Sequence, residues 1–145
     1  MKVLRWYDSK VSSNKDNIRK LVNDIVSFLC DYHGLIDQDT IFEIKVILNE
    51  LFQNAIKHGN KDDINKLVKV KAGIANENYA FFIIEDEGEG FNYRCLFNIS
   101  SDPEKAIELC DLKENGRGML IVKSLCEKMK FNKKGNKVVV LKRLC

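Results

Sequence analysis

The stretch Asn49-Glu50-Leu51-Phe52-Gln53-Asn54-Ala55-Ile56-Lys57-His58-Gly59 carries two helical stripes side by side. Glu50, Asn54 and His58 recur every four residues and so share one face of a helix, while Leu51 and Ala55 mark an apolar stripe next to it. A carboxylate and an amide are thereby held at the margin of a core, where they can bind a divalent cation and direct a proton. Magnesium takes oxygen ligands and keeps water, so one amide oxygen plus the phosphates of a ligand would suffice. A surface helix with a chance polar row has the same spacing, and this segment alone does not separate the two readings.

The apolar period around this stretch begins upstream. Ile44, Ile47, Leu48, Leu51 and Ala55 predict a helix that opens near Asp37 or Asp39, runs to about His58 and is ended by Gly59. Ile18, Leu21, Ile25, Phe28 and Leu29 predict an earlier helix, with N-cap candidates in Ser12-Ser13-Asn14-Lys15-Asp16 and a C-terminal cap at Gly34. Residues 2–8, with Val3, Leu4, Trp6 and Tyr7, predict a first strand. Downstream, residues 66–75 alternate, Asn76-Glu77-Asn78 is a turn and residues 79–84 are almost wholly apolar, which predicts a hairpin. Met119, Ile121, Val122, Leu125, Cys126 and Met129 predict a third helix, and residues 130–132 and 137–144 a closing hairpin. Hairpins and three helices without strict β-α-β alternation indicate an α+β fold. The expected architecture is a two-layer sandwich whose mainly antiparallel, mixed sheet carries the helices on one face.

A chain of 145 residues suits a single domain spanning 1–145. Hydrophobic residues at 45% and charged residues at 31% give a soluble, globular balance, and one Pro with 8 Gly excludes a disordered or collagen-like chain. No apolar run approaches the roughly 20 residues of a membrane-spanning helix, and the N-terminus lacks the apolar core of a signal peptide. Five cysteines (Cys30, Cys95, Cys110, Cys126, Cys145) without a C-x-x-C pair suggest neither zinc nor a dithiol site. Cys30 and Cys126 read as small core residues, and the expected location is the reducing cytoplasm. Net charge is only +3. The basic tail (Lys128, Lys130, Lys133, Lys134, Lys137, Lys142, Arg143) reads as a solvated strand face that guards against edge pairing, not as a nucleic-acid surface.

Two further segments add chemistry. In Ile83-Ile84-Glu85-Asp86-Glu87-Gly88-Glu89-Gly90, an apolar strand runs into Asp86, a good acceptor for an exocyclic amine such as that of adenine. Gly88 and Gly90 then let the backbone turn and approach a ligand closely. An acidic hairpin turn would read similarly. In Glu114-Asn115-Gly116-Arg117-Gly118-Met119, glycines directly before a helix leave backbone N–H groups free for phosphate, and Arg117 could add charge-assisted bonds. A flexible loop capping a helix is the simpler alternative.

Taken in order, N-x-x-x-N-A-x-x-H-G, D-x-G-x-G after a strand and G-x-G-M before a helix resemble the GHKL (Bergerat) ATP-binding fold, and within it the bacterial anti-sigma factor serine kinases. The resemblance covers nearly the whole chain. It implies that Glu50 is the general base toward a serine hydroxyl and that Asn54 is the magnesium ligand. It implies that Asp86 reads adenine with Gly88 and Gly90 beside it, and that Gly116 and Gly118 line the phosphates with Arg117 as a further contact. Residues 92–115 correspond to the ATP lid, and His58 to a residue that caps or packs the helix. ATP and magnesium are the implied cofactors. The implied partners are a sigma factor and a small STAS-type anti-anti-sigma factor, with homodimerisation through the sheet face opposite the helices and no direct contact with nucleic acid or membrane. The chain departs from the family where a hydroxyl near the last strand often helps hold adenine, since Val138-Val139-Val140 offers none. Two alternatives follow from the same motifs: a non-catalytic ATP-sensing switch that sequesters a partner, and the ATPase module of a histidine kinase.

Overall fold

The computed structural model describes residues 3–90 and 116–144. In chain order the elements are β1 (Val3–Ser12), α1 (Asn17–His33), α2 (Gln38–Gln53), a π-helix (Asn54–Gly59), β2 (Leu67–Ala75), β3 (Tyr79–Glu85), α3 (Gly116–Leu125), β4 (Lys128–Phe131) and β5 (Lys137–Arg143). The strands form one sheet in the order β1-β2-β3-β5-β4. The α+β sandwich with a mainly antiparallel sheet is as expected, and every pairing among the described residues is antiparallel. For β2–β3 and β4–β5 the reason is local, since short turns join them and only antiparallel neighbours permit that.

Period-2 alternation decides which sheet face is covered. Val68, Val70, Ala72 and Ile74 of β2, Ala80, Phe82 and Ile84 of β3, and Val138 and Val140 of β5 are all buried in one cluster with the helices. The α1 face of Ile18, Leu21, Val22, Ile25 and Leu29 and the α2 face of Ile44, Ile47, Leu48, Leu51 and Phe52 close the other side. Each such side chain contributes about 1.5–3 kcal/mol on burial. The helix ends follow the sequence signals: the Asp37 carboxylate accepts the Thr40 N–H at 2.7 Å, and the Gly34 N–H, at φ +93°, donates to the Cys30 carbonyl. The Thr40 bonds hold the Asp37 carboxyl below its ordinary value.

Four expectations are corrected. First, β1 continues to Ser12, because Ser9 to Ser12 stay in register with Leu67 to Val70. Second, of the N-cap candidates Asp16 takes the position, but its side chain makes no capping bond; its own N–H donates to the Asn14 carboxamide oxygen, and Ser13 is buried. Third, α3 ends at Leu125. The Glu127 N–H donates to Leu141 and Lys128 pairs with that residue, so Met129 is buried as a strand residue, where the ladder to β5 outweighs the helical spacing. Fourth, Lys142 does not belong to the solvated face. It shares the parity of Val138 and Val140 and is buried beneath the helices. Its ammonium donates to the Leu125 carbonyl at the end of α3 at 2.8 Å and lies 2.7 Å from the Glu43 carboxylate of α2. Lys128, Lys130, Lys133, Lys134 and Arg143 are exposed as expected.

Candidate functional site

The site lies where α2, the end of β3 and the start of α3 meet. The helical run containing Glu50 and Asn54 does not stay α-helical: it is α through Gln53 and π from Asn54 to Gly59, and the Asn60 N–H reaches back five residues to the Ala55 carbonyl at 2.8 Å. Such expanded turns cluster at functional sites. Glu50, Gln53, Asn54, Lys57 and His58 line one cleft together with Gly118 and Met119 of α3, with an open volume of about 80 Å³. Gly118 lets the Glu50 carboxylate lie against α3, since a Cβ at that position would displace it. His58, expected to cap or pack the helix, faces this cleft and has a bonding partner of its own.

Asn54 shows the clearest unmet chemistry. Its side-chain oxygen is buried and has no hydrogen-bond partner among the described residues. An unsatisfied buried acceptor costs about 1–3 kcal/mol, a burden that a bound cation would relieve. No group of three or more His, Cys, Asp or Glu side chains forms a metal cluster among the described residues. A cation here would therefore be held by an amide oxygen and by the oxygens of a ligand, a donor set that suits magnesium.

The Asp86 corner packs directly on the π-helix. Asp86 is buried, and its carboxylate accepts the Gly88 N–H at 2.8 Å. A Cβ on Gly59 would fall on that carboxylate, and one on Gly88 would fall on the Gly59 carbonyl. Burial pushes the Asp86 carboxyl above its ordinary value; the Gly88 bond, the next largest influence, opposes this. Gly90 has φ +86° and abuts the Lys134 carbonyl, a position closed to any side chain. Between Asn54 and Asp86 runs a slot with apolar walls from Leu51, Ala55, Ile84 and Val138, completed by Phe131 and by the turn residues Gly135 to Lys137. Its open volume is about 10 Å³, too small for a planar heterocycle as it stands.

The structure thus brings Glu50, Asn54 and Gly118 into one cleft, and places Asp86, Gly88 and Gly90 across the Gly59 contact from it. Gly116 opens α3. The Arg117 side chain and the lid segment 92–115, with Cys95, Pro103 and Cys110, lie outside the described residues.

Three amides escape a motif-based reading. Asn60 is fully buried: its amide donates to Ser13 Oγ at 2.7 Å and to the Leu67 carbonyl at 3.1 Å, and its oxygen accepts the Glu87 N–H at 2.7 Å. It ties the end of the π-helix to the start of β2 and to the residue after Asp86. Asn136 exchanges bonds with the Asp86 backbone: its amide donates to the Asp86 carbonyl at 2.8 Å, and its own carbonyl accepts the Asp86 N–H at 2.9 Å. Asn132 braces Asn136 by a side-chain bond of 2.7 Å. Where a hydroxyl was sought on the last strand, Val138 and Val140 belong to the core, and the nearest polar side chain, Asn136, spends its bonds on the protein itself. The signal for these residues was an Asn directly after Gly59 and an Asn pair spanning the last turn, both of which read as ordinary turn chemistry.

A family model described as a histidine kinase-like ATPase domain matches residues 11–142. The chain belongs to this family. The GHKL resemblance of the three motifs is thereby shown. Over 107 residues, this ATPase domain is 24% identical to the serine-protein kinase RsbW of Oceanobacillus iheyensis and 25% identical to RsbW of Bacillus subtilis. Those matches take in 72% and 73% of this chain and 66% of each relative, so the chain spans just under two thirds of the relatives' length. A solved histidine kinase domain, from the blue-light activated histidine kinase EL346 of Erythrobacter litoralis, superposes with a TM-score of 0.51 at 16% identity, over 86% of this chain and 58% of that one. At that identity the likeness is one of fold. No described helix is long and apolar enough to cross a membrane.

Proposed function

We propose that this GHKL ATPase domain is an ATP-dependent serine protein kinase of the anti-sigma factor type. The single observation that carries the reading is the buried, unpartnered Asn54 oxygen in the same cleft as the Glu50 carboxylate and Gly118. In this reading Asp86 accepts a hydrogen bond from the adenine amine, with Gly88 and Gly90 allowing close approach. Gly116 and Gly118 present backbone N–H groups to the phosphates, and Arg117 adds a cation. Asn54 would hold magnesium, which offsets charge on the phosphate oxygens when bound.

Phosphoryl transfer asks mainly for positioning and charge neutralisation. As the serine Oγ of a protein substrate bonds to the γ-phosphorus, its proton passes to the Glu50 carboxylate. The bond from that phosphorus to the β,γ-bridging oxygen breaks, and ADP leaves with the electron pair. The similarity to RsbW serine-protein kinases supports the class. The expected substrate is a STAS-type anti-anti-sigma factor, and the competing partner is a sigma factor sequestered by a cytoplasmic homodimer. Glu50→Gln tests the assignment: transfer of labelled phosphate from ATP to the STAS partner should vanish while ATP binding stays nearly intact. Transfer at the wild-type rate would remove Glu50 as base. Sigma binding with no transfer by the wild-type protein would favour the non-catalytic switch instead.

A further inference from the structure

A larger cavity adjoins the Glu50 cleft across Gln53 and Lys57. It has a volume of about 420 Å³, within the range of about 300–1,000 Å³ usual for ligand sites, and runs between the start of α1 and the end of α2. Its floor is Ile18 and Ile56, both buried, and its rim holds Lys15, Arg19 and Lys57 against one carboxylate, Asp16. None of the three cations forms an ion pair among the described residues. The positive end of the α1 dipole opens beside the same rim, with no side-chain cap from Asp16 to offset it. An apolar floor under an unpaired cationic rim fits a short acidic chain segment.

The location ties this groove to the proposed chemistry. Gln53 and Lys57 line both cavities and form a ridge between them. Asn49 and Gln53, which flank Glu50 on the helix, both face the groove. Neighbours three and four residues apart on a helix surface are about 5–6 Å apart, so a segment lying in the groove has only the ridge to cross to reach the Glu50 carboxylate.

We infer that this groove docks an acidic stretch next to the phosphoacceptor serine of the protein substrate, and that the ridge of Gln53 and Lys57 delivers the hydroxyl to Glu50. The inference rests on the kinase reading and adds the charge of the sequence that the kinase selects. It also separates two anion sites: the nucleotide phosphates lie on the Asn54 and Gly118 side, the substrate's carboxylates on the Lys15 and Arg19 side.

The test uses the full chain and two synthetic serine peptides of equal length, one flanked by Asp and Glu and one by Lys, each carrying a fluorescent label. The wild-type protein should bind the acidic peptide at least tenfold more tightly by anisotropy, and this preference should shrink as salt rises from 50 to 500 mM. The double variant Lys15→Glu, Arg19→Glu should lose about tenfold for the acidic peptide, gain for the basic one and keep its affinity for ATP. A gain of the opposite preference is a result that damaged folding does not produce. Equal binding of both peptides, or an unchanged preference in the double variant, would overturn the groove. Phosphate transfer is read separately: charge-selective binding without transfer leaves the groove standing and overturns the role given to Glu50.

Discussion

Replacing Asn60 by Ala should destabilise the fold by about 3 kcal/mol. The side chain makes three hydrogen bonds, two donated to Ser13 Oγ and the Leu67 carbonyl and one accepted from the Glu87 N–H, and it is fully buried. Each bond contributes about 1 kcal/mol net, and groups stranded away from water add to the loss. Ser13 keeps its own bond to the Lys66 carbonyl, so the damage falls on Leu67 and Glu87. For a domain of this size, with a urea m-value of about 1.5 kcal/mol/M, the unfolding midpoint followed by circular dichroism should drop by about 2 M. Asn60→Asp keeps an acceptor for Glu87 but sets a carboxylate against the Leu67 carbonyl, so it should not rescue. The exposed Asn65, replaced by Ala, should stay within about 0.5 kcal/mol of wild type as the control. An Asn60→Ala midpoint within 0.3 M of wild type would refute the claim that this amide fastens the Asp86 corner.

Asn54→Ala should leave the nucleotide-free protein as stable as wild type or slightly more so, since it removes a buried oxygen without a partner, yet abolish magnesium-dependent nucleotide binding in calorimetry; marked destabilisation without nucleotide would show that the oxygen was already satisfied. Burial raises the Asp86 carboxyl above its ordinary 3.8, so the stability linked to its proton is whole below about pH 3.8 and is lost as pH rises through the folded value. Asp86→Asn, which keeps an acceptor for Gly88, should therefore exceed wild type in urea stability near neutral pH, with the gap closing on acidification; a gap that widens instead would contradict the cause assigned to the shift. Lys142→Met keeps the stem but strands the Leu125 carbonyl and the half-exposed Glu43 carboxylate, and should cost about 2 kcal/mol in the same urea assay. A neutral outcome there would mean that water replaces the ammonium.

The hairpins, the helical faces and the polar stripe were legible because each rests on one periodicity. Val68, Val70, Ala72 and Ile74 can face inward together only in a strand, and Ile44, Ile47, Leu48 and Leu51 only in a helix. Legibility failed where two periods overlap. Met129 fits a helix continued from Val122 and Leu125 and fits equally a strand shared with Phe131, and only the ladder to β5 decides. Lys142 was misread from its charge although its parity with Val138 and Val140 pointed inward; its position under the end of α3 depends on contacts between distant segments. In the site, Glu50 and Asn54 were visible by spacing. Asn60, Asn132 and Asn136 were not, because a lone amide in a turn looks alike whether it bonds to itself or spans fifty residues, as Asn136 does to reach Asp86. The change from α to π winding at Asn54 likewise left no mark in the apolar pattern.

The interlock of Gly59, Asp86 and Gly88 has a consequence for anyone who would reshape the slot beside it. The Asp86 carboxylate occupies the space a Gly59 side chain would need, and the Gly59 carbonyl the space of one at Gly88, so neither glycine can be enlarged without its neighbour shifting. The slot can be reshaped independently from its other lining residues, Phe131 and Lys137. Substitutions there change the slot's shape without touching the three interlocked residues.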